Sequence, residues 1–303
     1  MCAIIPIDRN NGGILVSIDV LQEKIRKTKN PSVVVLEALP DLIPPQLLES
    51  ADVPQILEAF YTRLLVELKS HVGTVRFGFS SFALLGSDGL NCLSRLLKEA
   101  KEQGYYVLLD APESLSVAAA RNAVAVLSRE DTPYPCDGLV VSAYLGSDIL
   151  KEFLPLCKQG KTLFPVVRTA NKSASEIQDL LTGGRLVHTA AADIVSRQGE
   201  SMVGKFGYSQ VGAVAAASSA DSLRALRGKY PKLFLLLDGY DYPNANAKNC
   251  SFAFDKLGRG AAACAGVSIV GAWRETENPE YAAAAVEAAQ RMKKNLTRYV
   301  SVL

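Results

Sequence analysis

The chain has 303 residues, 49% hydrophobic and 21% charged, a composition of soluble globular type with material for a sizeable core. Its 33 basic and 31 acidic residues leave a net charge of +2, which removes the electrostatic case for nucleic acid or an anionic membrane as partner. Six scattered cysteines (Cys2, Cys92, Cys136, Cys157, Cys250 and Cys264) form no C-x-x-C pair and read as reduced, mostly packed thiols of a cytoplasmic protein.

In chain order, the opening stretch MCAIIPIDRNNGG has an apolar patch but no basic start and no small-residue cleavage site. It reads as an N-terminal extension (about 1–18), not a signal peptide. Short apolar runs rich in β-branched residues then recur, as expected of strands buried on both faces. They span 33–37, 73–78, 105–110, 138–142, 162–168, 211–216, 232–237 and, weakest, 261–265. Helical patterns lie between them. LNCLSRLLKEAKEQG has apolar residues at three-to-four spacing and stops at Gly104, SASEIQDLLTGG runs from a serine cap to two glycines, and SADSLRALRGKYP precedes the seventh run. The alanine-rich PEYAAAAVEAAQRMKKNLTRYV predicts a closing helix (about 278–300) with Arg291, Lys293 and Lys294 on its solvated side. The longest apolar runs, KLFLLLDG and GAVAAASSA, are too short to span a membrane.

Eight strands separated by helices predict one (β/α)8 TIM barrel over 1–303, with no internal repeat or linker. An open doubly wound sheet is the rival. Its G-x-G-x-x-G mark is missing, and the nearest run, GRGAAACAG, has the wrong spacing. Reacting groups of a barrel sit at the C-terminal ends of its strands, which singles out Glu37, Arg76, Asp110, Ser142, Arg168, Thr169 and Asp238.

Five segments, in order, carry a resemblance: NPSVVVLEALPDLIP, VRFGFSSFALLG, DGLVVSAYLGSDIL, PVVRTANKSASEIQDL and VGAVAAASSADSLRALR. From about Asp19 to Trp273 the chain resembles orotidine 5′-phosphate decarboxylase, in its long bacterial subgroup. The resemblance implies a barrel that works without a cofactor and dimerises through its mouth. It also implies a Lys–Asp–Lys–Asp array, in which an aspartate crowds the substrate carboxylate and an ammonium stabilises and protonates the carbanion at C6. At these positions the chain has Arg76, Asp110, Pro112 and Leu115. Arginine keeps the charge of the first lysine but is no proton donor near neutral pH, and proline has no titratable group. Leu115 replaces an aspartate that the family contributes across the dimer interface. Each such group supplies on the order of 10²–10³ in rate.

The ligand-holding positions differ too. The ribose-contacting aspartate is Glu37, and the base-reading serine of R-T-S-N is Ala170. The paired glycines after the seventh strand give way to DGYD, with Asp238 and Asp241, and the eighth-strand arginine aligns with Val267, Arg259 lying nearby. A phosphate facing two carboxylates without that arginine is repelled.

Plainer roles stand beside these. Asp110 caps its loop or serves a ligand; Arg76 pairs with Asp110 or Glu37, or binds a ligand; Arg168 and Thr169 shape the mouth or line a site. The only histidines, His71 and His188, have no ligand spacing, and no metal is expected. Lys161 and Lys232 lie at strand starts, the wrong end for a Schiff base. The reading is a barrel that has lost decarboxylation and serves as a partner-binding or regulatory subunit, or holds a small nucleotide-like ligand. Its alternatives are an active decarboxylase of pyrimidine synthesis, and new lyase chemistry at Arg76, Asp110 and Glu113.

Overall fold

A computed structural model describes residues 16–48, 52–112, 115–275 and 280–302. Eight parallel strands close into a barrel in chain order: β1 (Ser32–Leu36), β2 (Thr74–Gly78), β3 (Tyr106–Asp110), β4 (Gly138–Ser142), β5 (Thr162–Val166), β6 (Ala213–Ala216), β7 (Leu235–Asp238) and β8 (Ala261–Ala265). Closure is made by β1 on β8, with Ser32 opposite Ala263. The fold is the (β/α)8 barrel that the spacing of apolar runs predicts.

The outer ring comes from α2 (Val53–Leu68), α3 (Gly86–Glu102), α4 (Val117–Leu127), α5 (Ser147–Lys158), α6 (Val187–Gly199) and α7 (Ala220–Lys229), which join successive strands, and α8 (Tyr281–Thr297), which closes the chain. Only the short helix Ala247–Ser251 separates β7 from β8. In α8, Lys293 is half-buried instead of solvated, because its ammonium bonds the Thr28 carbonyl at 2.8 Å. The helix expected over 173–184 is not formed. A 3-10 turn (Lys172–Glu176) is followed by a hairpin of Leu181–Thr182 on Arg185–Leu186. Gly183 and Gly184 both take positive φ, at 55° and 77°, which suits a two-residue hairpin turn and not a helix end.

Side-chain alternation along the strands splits the apolar residues into two layers. Val33, Tyr106, Leu108, Val140, Phe164, Val214 and Leu236 fill the barrel, while Val34, Val75, Phe77, Val107 and Leu109 face the helices. The same period turns the last inward residues, Asp110 two after Leu108 and Asp238 two after Leu236, toward the mouth.

The opposite end is plugged by a helix the apolar runs did not announce, α1 (Ser17–Thr28). Ile18, Leu21 and Ile25 join the barrel interior. Ser17 bonds the Tyr106 hydroxyl at 2.8 Å, and Gln22 accepts the Gly260 amide at 3.0 Å. The buried Asp19 carboxylate accepts the amides of Lys205 and Phe206 at 3.0 and 3.2 Å. Asp19→Ala strands two amides at the plug and is expected to destabilise the protein by about 2–3 kcal/mol in urea unfolding, with little change in m.

Candidate active site

Arg76 dominates the mouth. It rises from β2 beside Leu108, one layer below the rim, and its fork reaches across the barrel axis. Nε and Nη2 donate to the two oxygens of Asp110 at 2.6 and 3.0 Å, and Nη1 donates to Asp238 at 3.1 Å. β3 and β7 lie opposite each other in the barrel, so the guanidinium is a bar from one wall to the other. The Arg76 side chain is 9% exposed, against 29% for Asp110 and 37% for Asp238. Burial opposes its charge, but the two carboxylates outweigh burial and hold its pKa well above the usual arginine value. Glu37 is not its hydrogen-bond partner.

On either side of the bar lies a cavity, and the two share no lining residue. The first, of about 590 Å³, is bounded by Glu37, Asp238, Asp241, Tyr242, Gly266 and Arg274. The second, of about 470 Å³, is bounded by Asp110, Pro112, Leu115, Ser142, Tyr144 and Thr169, with Val140, Ile149 and Phe153 beneath. Each approaches the size of a small-molecule site, but the bar interrupts a path from one to the other.

Glu37 stands just past β1 over Gly78, where an added Cβ would meet its Cγ at 3.1 Å. Burial raises its carboxyl above the ordinary value of 4.5, with further push from Asp110 and Asp238 and partial relief from Arg76. A raised folded-state pKa means the protonated form stabilises the fold. That contribution is complete below the ordinary carboxylate value and is lost as pH rises through the raised one. Glu37→Gln is therefore expected to raise Tm at neutral pH, with the gain vanishing in acid; paired melting curves across pH check it.

Arg168 and Thr169 sit at the end of the β5 segment but serve its loop. Arg168 grips Asp179 with two bonds of 3.0 and 2.7 Å and the Thr169 carbonyl with a third, of 3.1 Å. Gln178 pairs with both the amide and the hydroxyl of Thr169, at 2.9 Å each. Thr169 lines the second cavity; Arg168 does not. Behind them, His188 lies 3.1 Å from Asp179 and 3.4 Å from Ser222, with both His188 and Ser222 buried, a chain that braces α6 and α7.

Asp241 behaves differently from Asp238. Its carboxylate accepts the amides of Gly266 and Ser268, at 2.6 and 3.3 Å, where the short helix Val267–Val270 begins after β8. Ala170 lies against the turn after β7, with an added Cβ on Gly239 only 2.3 Å from the Ala170 Cβ. Arg259 precedes β8 at the plugged end, bonded through its amide to Asp255 and stacked at 5.4 Å on Phe206, away from Val267 and the mouth. The residue sequence reasoning missed is Arg274, which lines the first cavity with its guanidinium 5.5 Å from the Trp273 ring. It stands just past Trp273, where the stretch of family resemblance ends.

Lys161 bonds the Cys136 carbonyl at 2.7 Å, ahead of β5 and away from the mouth. Burial pushes the thiols of Cys92, Cys157 and Cys250 up to about 12. Among the described residues no three His, Cys, Asp or Glu side chains gather as a metal site requires, and no helix is long and apolar enough to cross a membrane. Glu113 and Cys2 lie outside the described residues.

No protein-family model matches the chain. It is 29% identical over 201 residues to the orotidine 5′-phosphate decarboxylase of Rhodopirellula baltica, covering 65% of this chain and 67% of that one. It is 25% identical to the enzyme of the same name from Clostridium novyi, covering 87% and 91%. The solved structure of Leishmania donovani OMP decarboxylase superposes with a TM-score of 0.70 at 20% identity, over 93% of this chain and 99% of that one.

The chain is thus similar to orotidine 5′-phosphate decarboxylases over most of its length. At the positions that resemble the family's charged array, the decarboxylase-like mouth presents Arg76 already paired, Asp110 as its partner, and Pro112 and Leu115 on the wall of the second cavity. Leu115 is 76% exposed.

Proposed function

We propose that this decarboxylase-like chain does not decarboxylate and acts instead as a partner-binding, regulatory subunit. The observation that carries the reading is the guanidinium bar. Decarboxylation leaves an electron pair at carbon, which must be stabilised by a nearby cation and then protonated. Arg76 is the cation closest to Asp110, and its fork is satisfied by Asp110 and Asp238. It holds its proton too tightly to give one up near neutral pH. Proline at 112 supplies no second donor.

Electrostatics point the same way. Asp110, Asp238 and Glu37 gather around one guanidinium, and the Glu37 carboxyl is raised first by burial and then by the charge of Asp110 and Asp238. A nucleotide carrying a carboxylate and a phosphate enters such a mouth against repulsion. The binding function we assign to the rim rests on its apolar side chains: Leu84, Leu115, Tyr144, Leu145, Leu181 and Tyr242 are all exposed on loops that follow strands. Such a rim suits a mouth-to-mouth dimer with a second copy or with an intact relative.

The names of the relatives favour a second reading, an active decarboxylase. The two separate in one assay. Purified protein incubated with orotidine monophosphate is expected to show no absorbance loss beyond the uncatalysed rate. Turnover that Asp110→Ala abolishes would replace our reading with the second.

A further inference from the structure

We propose that the second cavity is a binding site for an uncharged, ring-sized organic ligand, which gives a hydrogen bond to Asp110 and buries its ring between β4 and α5. The site goes beyond partner binding and does not rest on it.

The cavity, of about 470 Å³, is not confined to the barrel axis, because residues of both apolar layers line it. Asp110, Val140 and Val166 lie on the inward side of their strands. Val141 belongs to the outer layer, together with Ile149 and Phe153 of α5. The space therefore runs from the mouth over the end of β4 to the first turns of α5. Val141, Ile149 and Phe153 are only 6%, 7% and 1% exposed. A floor of this kind gains from covering with apolar surface and penalises any charge placed on it. Leu115 and Leu145 carry the apolar lining up to the rim.

The polar side chains on the wall set the charge of the ligand. The Thr169 hydroxyl is committed, donating to Asn171 at 2.6 Å and accepting from Gln178 at 2.9 Å. Ser80 and Ser142 stand exposed at the edge. Arg76 spends its fork on Asp110 and Asp238, so it offers no counter-ion to an anion. The same pairing neutralises Asp110 toward a cation. Each Asp110 oxygen nevertheless accepts only one bond from Arg76 and keeps a second lone pair. A ligand N–H or O–H can use that lone pair without disturbing the bar. One donor on an apolar ring, without net charge, is the chemistry that floor and wall share.

NMR of the full chain with labelled methyl groups tests the site, with indole as the probe, an uncharged ring that bears a single N–H. Indole is expected to shift the Ile149 and Val141 methyl signals saturably, with half-saturation below about 1 mM. Benzofuran has the same shape without the donor and should bind about tenfold more weakly, the loss of one hydrogen bond to a charged acceptor. Indole-3-carboxylate and indole-3-methylamine, charged with opposite signs, should give no saturable shift. Val141→Phe fills the floor and should abolish the indole response. Should that variant fail to fold, the benzofuran comparison on the wild type decides the question. No saturable indole shift at Ile149, a Val141→Phe protein that still binds indole, or benzofuran or a charged analogue binding as tightly as indole each overturns the assignment.

Discussion

Arg76→Met is expected to cost about 3 kcal/mol of stability, visible as a fall in Tm of roughly 6–12 °C. Methionine fits the space along the barrel axis but removes the charge between Asp110 and Asp238. Breaking a buried pair costs more than the pair itself contributes, since the partner charges stay behind without compensation. The partial exposure of Asp110 and Asp238 keeps the figure at the lower end of what fully buried charges show. Two further variants test the cause. Arg76→Met combined with Asp110→Asn should be more stable than Arg76→Met alone, because one orphaned charge is gone. Arg76→Lys should fall between, keeping a charge but losing the fork that reaches two walls. An Arg76→Met protein as stable as the wild type at neutral pH would show that the bar is not a structural element.

The sequence revealed more of the scaffold than of the site. Strand positions came through because a strand buried on both faces must be a continuous apolar run, and each of the eight runs overlaps a strand to within a few residues. The helix expected over 173–184 failed for a local reason. Ile177, Leu180 and Leu181 have helical spacing, yet they are exposed and bury no face, so Gly183 and Gly184 decided the backbone. The plug α1 was missed since it precedes the alternating pattern and buries its apolar side chains in the end of the barrel. At the mouth, position at the C-terminal ends of strands singled out Asp110 and Asp238, and a pair of Arg76 with Asp110 was one of the roles foreseen. Its second partner was not, because Asp238 lies 162 residues away and meets Arg76 only when the barrel closes. The role of Asp241 was legible only in part. DGYD announces a polar turn, but which amides it meets depends on where β8 delivers Gly266 and Ser268.

Under the proposed reading, mixed assembly is where loss of chemistry acquires a consequence. In the family the last aspartate of the array reaches across the dimer interface, and under the proposed reading that position is taken by Leu115, which is exposed. An intact decarboxylase subunit paired with this chain would lack the charge it needs from its partner. Removing one such electrostatic group slows a reaction on the order of 10²–10³-fold. Co-expression of this chain with the Clostridium novyi relative under separate tags, followed by tandem purification, is expected to yield mixed dimers. The intact subunit in them should turn over orotidine monophosphate by about that factor more slowly than in its own homodimer. Leu115→Asp in this chain restores the missing charge without touching Arg76 or Pro112, so it should recover most of the partner's rate while this chain's own mouth stays inert. A mixed dimer of full activity would mean that Leu115 does not face the partner's site, and failure to form any would remove the intact relative as a partner. Because the variant alters a single rim position, recovery cannot come from repair of this chain's own chemistry. It isolates the charge delivered to the neighbour.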